Sequence, residues 1–204
     1  MQTFDSRRQQ GSTVRRLVLA AILTAMVVVL QLLSVFLRPF FPVFTISLVL
    51  IPIVIGVALV DWWAGPWLGL VFGVTVLLSG DAAPFLVVNP FGTVVTVLLK
   101  GILAGLAAGL VYNLLIRVND VVATVAAAIT APVVNTGIFI LGCRLFFWDT
   151  LKAWSEATPG KYENTFVYVI VGMIGFNFLI ELAINCILSP VVVRLVNVYH
   201  KNRQ

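Results

Sequence analysis

Charge is what this sequence has least of. Only 10% of its 204 residues are Asp, Glu, Lys or Arg, and one histidine accompanies them, whereas a soluble domain of this length carries about 25% charged residues. With 61% hydrophobic residues and a mean hydropathy of +1.09, no water-soluble core of this size hides so much apolar surface, and the chain reads as an integral membrane protein. Cysteine is equally scarce. Cys143 and Cys186 lie in apolar runs with no CxxC or His-paired neighbourhood, which excludes a disulfide framework and a zinc site. The single histidine, His200, is in the C-terminal tail, and there is no GxSxG, no HExxH and no carboxylate pair within one run. Hydrolase and metalloprotease chemistry therefore find no support. A GxxxxGK[ST] phosphate loop is also missing, so the chain is not its own ATP-driven motor. No cofactor and no metal are expected.

What is present is a series of apolar runs, at roughly 17–37, 45–60, 64–79, 91–116, 121–146 and 166–197. They predict six transmembrane helices in an all-α integral membrane protein. The second and third are short: 16 residues reach only ~24 Å against a hydrocarbon core of ~30 Å. Pro52 and Pro66 fit that irregularity. The sixth is long, and 32 residues reach ~48 Å, so one end is expected in water. Leu17 to Leu37 is too long for a signal-peptide core and no small-residue cleavage site follows it, so it reads as a retained first span.

The formal net charge of +5 is better spent on orientation than on nucleic acid, for which there is no separate basic domain. With the N-terminus inside, the cytoplasmic side receives Arg7, Arg8, Arg15, Arg16, Arg117, Arg194, Lys201 and Arg203. The outside receives Arg38, Arg144, Lys152 and Lys161. That bias predicts N-in and C-in. The expected organisation is a basic N-terminal segment at 1–16, a six-helix domain at 17–198 and a cytoplasmic tail at 199–204. The longest loop, 147–165, contains Trp148, Trp154 and Tyr162, either as an interfacial aromatic belt or as a lid over a site.

Two charges stand inside apolar runs. Translocon scales place a charge at mid-membrane at roughly +2.5 to 3.5 kcal/mol, so Lys100 and Glu181 are expected to face the protein interior, where the glutamate simply satisfies the lysine, or a cavity, a partner or a cargo. Asn177, Glu181 and Asn185 at i, i+4, i+8 stack on one face of the sixth helix. Buried amides acting as helix glue explain the asparagines as well. Asn135 and Thr136 follow Pro132, which removes an amide partner from the carbonyl of Ala128, and form a second polar notch or a simple kink. Asn89 before Pro90 reads as an N-cap and Arg144 as a snorkelling anchor, both ringing the mouth of a cavity between those helices. The series Gly65, Gly69, Gly73 and the series Gly101, Gly105, Gly109 each make a smooth groove for close helix packing.

The Ala21-Ile22-Leu23-Thr24-Ala25 pattern lies close behind Arg15-Arg16. Further on come Ile51-Pro52-Ile53-Val54-Ile55-Gly56 and Ala64-Gly65-Pro66-Trp67-Leu68-Gly69-Leu70-Val71-Phe72-Gly73. With six runs and about 200 residues, nearly the whole chain resembles the S-components of energy-coupling factor (ECF) vitamin transporters. That resemblance implies an S-component-like helical bundle in a bacterial plasma membrane that binds a water-soluble vitamin in an outward-facing cavity of the later helices. It also implies docking on a transmembrane coupling protein driven by two cytoplasmic ATPase subunits, with Ala21 and Ala25 as the docking residues. The expected substrate-binding residues are then Asn89, Lys100, Asn135, Arg144, Asn177 and Glu181. A carboxylate at Lys100 and Arg144 would suit pantothenate, with riboflavin or folate as the other vitamins considered. The 38–44 loop with its phenylalanines is either a cover for the ligand or an interfacial anchor. Two other readings compete: a stand-alone ion-coupled secondary transporter using Glu181 and Lys100, and a membrane scaffold protein without cargo.

Overall fold

A computed structural model describes residues 2–37, 48–158 and 160–201, and every regular element among them is a helix. The expected 38–44 loop and the start of the second run lie outside the described residues. Each of the six apolar runs carries a helix: α1 Gln2–Leu37, α2 Leu50–Leu59, α3 Ala64–Leu78, α5 Pro90–Leu115, α6 Asp120–Phe146 and α9 Phe176–Lys201. Shorter helices join them, α4 Ala83–Val88, α7 Trp148–Glu156 and the single turn α8 Thr165–Val167. Stretches Thr13–Leu37, Pro90–Leu115, Asp120–Phe146 and Thr165–Val198 are long and apolar enough to cross a membrane, while α2 and α3 are shorter apolar helices. Helix α1 begins at Gln2, so the described part of the basic N-terminal segment continues into the first helix.

The glycine series explain how the short helices are held. They face each other across an antiparallel α3–α5 pair: a Cβ at Gly69 would strike the carbonyl of Gly101, and one at Gly65 the carbonyl of Gly105. One turn further along, a Cβ at Gly73 would come to 3.0 Å from the carbonyl oxygen of Val97. Backbone lies against backbone here, which in lipid replaces the missing hydrophobic drive with dense van der Waals contact. Gly69→Ala is therefore expected to destabilise the fold by about 1–3 kcal/mol, the usual range for overpacking. Gly137→Ala in α6 is the control, because its Cβ meets nothing within 4 Å and alanine favours a helix over glycine by roughly 0.5–1 kcal/mol. Thermal unfolding of the two variants in detergent checks the contrast. Equal melting temperatures would remove the α3–α5 seam as a determinant.

A second small-residue face continues the bundle. Ala123, Ala127, Ala128 and Ala131 of α6 are all buried, as are Ala104 and Ala108 of α5. Helix α6 runs through Pro132 without ending. The 166–197 run departs from the uniform helix expected of it. Asn164 caps α8 by accepting from Val167 N at 2.9 Å, a π-helix follows at Tyr168–Gly175, and α9 begins only at Phe176. With i→i+5 bonding the π segment uses more residues per turn, so residues beyond it lie less deep than a straight α-helix would place them. Helix α1 attaches through a narrow stripe of Ala20, Leu23, Val27 and Gln31, leaving Ala21 and Ala25 on its exposed face.

Candidate functional site

Two hydrophobic clusters leave a polar space between them. One unites α1, α2, α3, α5, α6 and α9 around Leu50, Ile53, Leu68 and Ala127. The other gathers Cys143, Phe147, Leu151, Val169 and Ile174 at the end where α4 and α7 lie. Between them is a cavity of about 290 Å³ walled by Val76, Asp81, Phe85, Thr93, Thr96, Lys100, Asn135, Phe139, Phe147, Met173, Asn177 and Glu181, among others. Its polar groups come from α5, α6 and α9 together with the α3–α4 turn.

Helix α5 supplies one polar wall. Thr93, Thr96 and Lys100 follow at i, i+3 and i+7, a spacing that brings them to one face. Asn89 starts this helix by accepting from Gly92 N at 2.9 Å, and Thr93 Oγ1 donates to the Asn89 carbonyl at 2.8 Å. The lysine head is placed between two rings, 5.2 Å from the centroid of Phe139 and 5.6 Å from that of Phe72. Cation–π attraction strengthens as the cation loses water, so the rings fix an ammonium that would otherwise swing.

The other walls carry amides and carboxylates. Asn135 of α6 is 7% exposed and Glu181 of α9 is 3% exposed. Asn177 stands one turn before Glu181, as the i, i+4 spacing requires. Asn185 turns back on its own helix, donating from Nδ2 to the Glu181 carbonyl at 2.8 Å. Two buried oxygens at the cavity, Thr96 Oγ1 and Asn135 Oδ1, have no hydrogen-bond partner among the described residues. Buried polar atoms of this kind carry a cost of about 1–3 kcal/mol each until something pairs with them.

The structure thus brings Lys100, Asn135, Asn177 and Glu181 to one cavity and leaves two of the expected residues outside it. Asn89 serves as the α5 cap described above. Arg144 is exposed and stacks its guanidinium over Trp148, 4.6 Å from the ring centroid. Neither is among the wall residues. The 147–165 segment is not an open loop, because α7 buries Leu151 fully and presents Trp154 to Phe85, ring centroids 5.8 Å apart. Sequence reading missed Asp81, the two threonines and the aromatic ring of Phe85, Phe139 and Phe147. The threonines were detectable by their helical spacing to Lys100. Asp81 was not, since nothing near it in sequence announces a partner.

One comparison with known proteins decides the family. The model of the family "ECF transporter, substrate-specific component" matches residues 15–193. The chain belongs to that family. None of the curated proteins and none of the solved structures compared with it matches the chain. As an ECF substrate-specific component it is a multi-pass membrane subunit of a transporter and binds the transported molecule, with no catalysis of its own. In this S-component, the cavity gathers Asp81, Thr93, Thr96, Lys100, Asn135, Asn177 and Glu181 inside the apolar bundle.

Proposed function

We propose that the cavity between α5, α6 and α9 is where this S-component captures a water-soluble vitamin. Six helices cross the bacterial plasma membrane with both termini inside, so that the end carrying α4 and α7 faces outward and residues 17–198 form the binding domain. After capture the subunit docks on a transmembrane coupling protein driven by two cytoplasmic ATPase subunits, through the exposed Ala21 and Ala25 of α1, and releases its cargo inward. The observation that carries this reading is the pair of unpartnered buried oxygens, Thr96 Oγ1 and Asn135 Oδ1, beside a ring-held lysine. A scaffold without cargo has no use for either feature.

Pantothenate is the preferred cargo. Its carboxylate suits Lys100, its hydroxyl and amide hydrogens suit Asp81, Glu181 and Asn135, and its methyl groups suit the phenylalanines. Riboflavin is the second reading, favoured by the edge-to-face cluster of Phe85 with Phe139 and Phe147, against which a planar ring would lie. Folate fits worst, because a second carboxylate would face Asp81 and Glu181. Mass spectrometry of gently purified protein for a co-purifying vitamin, followed by titration with all three, tests the assignment. Pantothenate is expected to bind and folate to fail; folate binding tighter than both others would overturn it. Uptake by the purified chain in vesicles with an ion gradient and no ATPase partner would instead establish the stand-alone carrier.

A further inference from the structure

Polar contacts tie α1 to its neighbours at several levels. Arg16 Nη1 lies 3.4 Å from Asp61 Oδ2 in the α2–α3 connection, and Trp67 Nε1 donates to Thr24 Oγ1 at 3.1 Å. At the far end Gln31 Nε2 donates to Asp81 Oδ2, also at 3.1 Å. The first pair is partly solvated, with side chains 42% and 37% exposed, and such pairs hold little. Gln31 differs, being 3% exposed in the same packed stripe as Ala20, Leu23 and Val27. An apolar side chain would fill that position without an amide to satisfy, so the hydrogen bond is the feature that needs a reason.

Its acceptor supplies one. Asp81 belongs to the cavity wall and sits in the turn between α3 and α4, next to Gly80, whose φ of 78° gives the chain its reversal. A single carboxylate therefore touches α1 on one side and the cavity on the other. Gln31 lies about 9 Å along α1 from Ala25, at 1.5 Å per residue. Because α1 is held by a narrow stripe that includes an alanine, a small displacement of its far end changes how the whole exposed face is presented.

We infer that the Gln31–Asp81 hydrogen bond is the link through which a cargo in the cavity sets the seating of α1. A cargo O–H or N–H donates to the Asp81 carboxylate, the 79–82 turn draws toward the cargo, and Gln31 carries α1 with it. Occupancy thereby reaches the surface that holds Ala21 and Ala25. The cargo shifts α1 only by the difference in its affinity for the two seatings, and Asp81 is where that difference arises. The inference rests on the cavity being the cargo site.

Hydrogen–deuterium exchange of the full chain in lipid nanodiscs, with and without pantothenate or riboflavin, tests it. In the wild type, cargo is expected to change exchange along residues 20–33. Gln31→Glu sets a carboxylate against Asp81 and is expected to erase that change. Gln31→Glu combined with Asp81→Asn exchanges donor and acceptor and restores it, although the affinity stays lower because the cavity has lost a carboxylate. A structural role for Gln31 would not predict this separation of affinity from coupling. Gln31→Met, which keeps the side-chain length without the donor, covers the case where Gln31→Glu misfolds and is expected to bind cargo with α1 unresponsive. A change in α1 that survives Gln31→Met, a swap that restores nothing, or no change in the wild type overturns the link. Unaltered affinity in both Lys100→Ala and Asp81→Asn, or binding of neither vitamin, removes the cavity as cargo site and this inference with it. Weakened binding in Lys100→Ala alongside an α1 indifferent to Gln31 removes the link alone.

Discussion

Ala21→Leu combined with Ala25→Leu is expected to reduce ATP-driven vitamin uptake to background while vitamin binding by the purified subunit stays unchanged. Both alanines are exposed on α1, on the face away from the stripe of Ala20, Leu23, Val27 and Gln31, so larger side chains there meet nothing inside the subunit. Leucine matches alanine closely in helix propensity, and α1 itself should persist. What the substitution removes is the smooth surface that lets another helix come close, on which association in a membrane depends when no hydrophobic drive is available. Titration of the variant in detergent, beside uptake by cells carrying the complete transporter, separates the two effects. Loss of binding would place the alanines in the internal fold. Undiminished uptake would move the proposed docking face elsewhere, and the apolar groove between α1 and α3, walled by Val28, Leu32, Trp67 and Leu70, would be the next surface to examine.

How far the sequence announces this molecule differs between helices. Each apolar run became a helix because in a bilayer the backbone must satisfy its own hydrogen bonds, and composition alone reports that. The glycine series announced a close approach, and their equal spacing even matches the register in which Gly65 meets Gly105 and Gly69 meets Gly101. The π segment at Tyr168–Gly175 carried no such announcement. Its residues Tyr-Val-Ile-Val-Gly-Met-Ile-Gly are as apolar as an ordinary span, and the wider turn shows only in backbone bonding. At the cavity, Lys100 and Glu181 were legible because a charge in an apolar run is costly wherever it lies. Their companions followed a different rule. Asp81 occupies a turn, where a carboxylate is ordinary, and became notable only because folding brings Gln31 from 50 positions away. Arg144 is the converse case: its place at the end of α6 is legible in the sequence, whereas its stacking on Trp148 depends on how the chain turns into α7.

Lys100→Ala is expected to cost the proposed vitamin site more affinity than any other single change in the cavity. Among the described residues walling the cavity, Lys100 supplies the positive charge, and Asp81 and Glu181 supply negative charge. Truncation has two consequences, one for affinity and one for the fold. A charge-assisted contact to the cargo is worth about 1.5–3 kcal/mol, and removing one member of a buried group of opposite charges disturbs those that remain, by up to about 3–5 kcal/mol when a partner is left uncompensated. At 1.4 kcal/mol per ten-fold, the first consequence alone weakens binding by roughly 10- to 100-fold. Lys100→Arg keeps the charge but exchanges a compact ammonium for a planar fork. That fork has to enter a gap defined by Phe139 at 5.2 Å and Phe72 at 5.6 Å, so partial recovery is expected rather than full. Titration with pantothenate at constant ionic strength, accompanied by thermal unfolding to show that each variant is folded, gives the comparison. A folded Lys100→Ala protein with wild-type affinity would mean that the lysine serves the helix bundle and that the cargo is read by the amides and rings alone, an outcome that would favour riboflavin over any carboxylate.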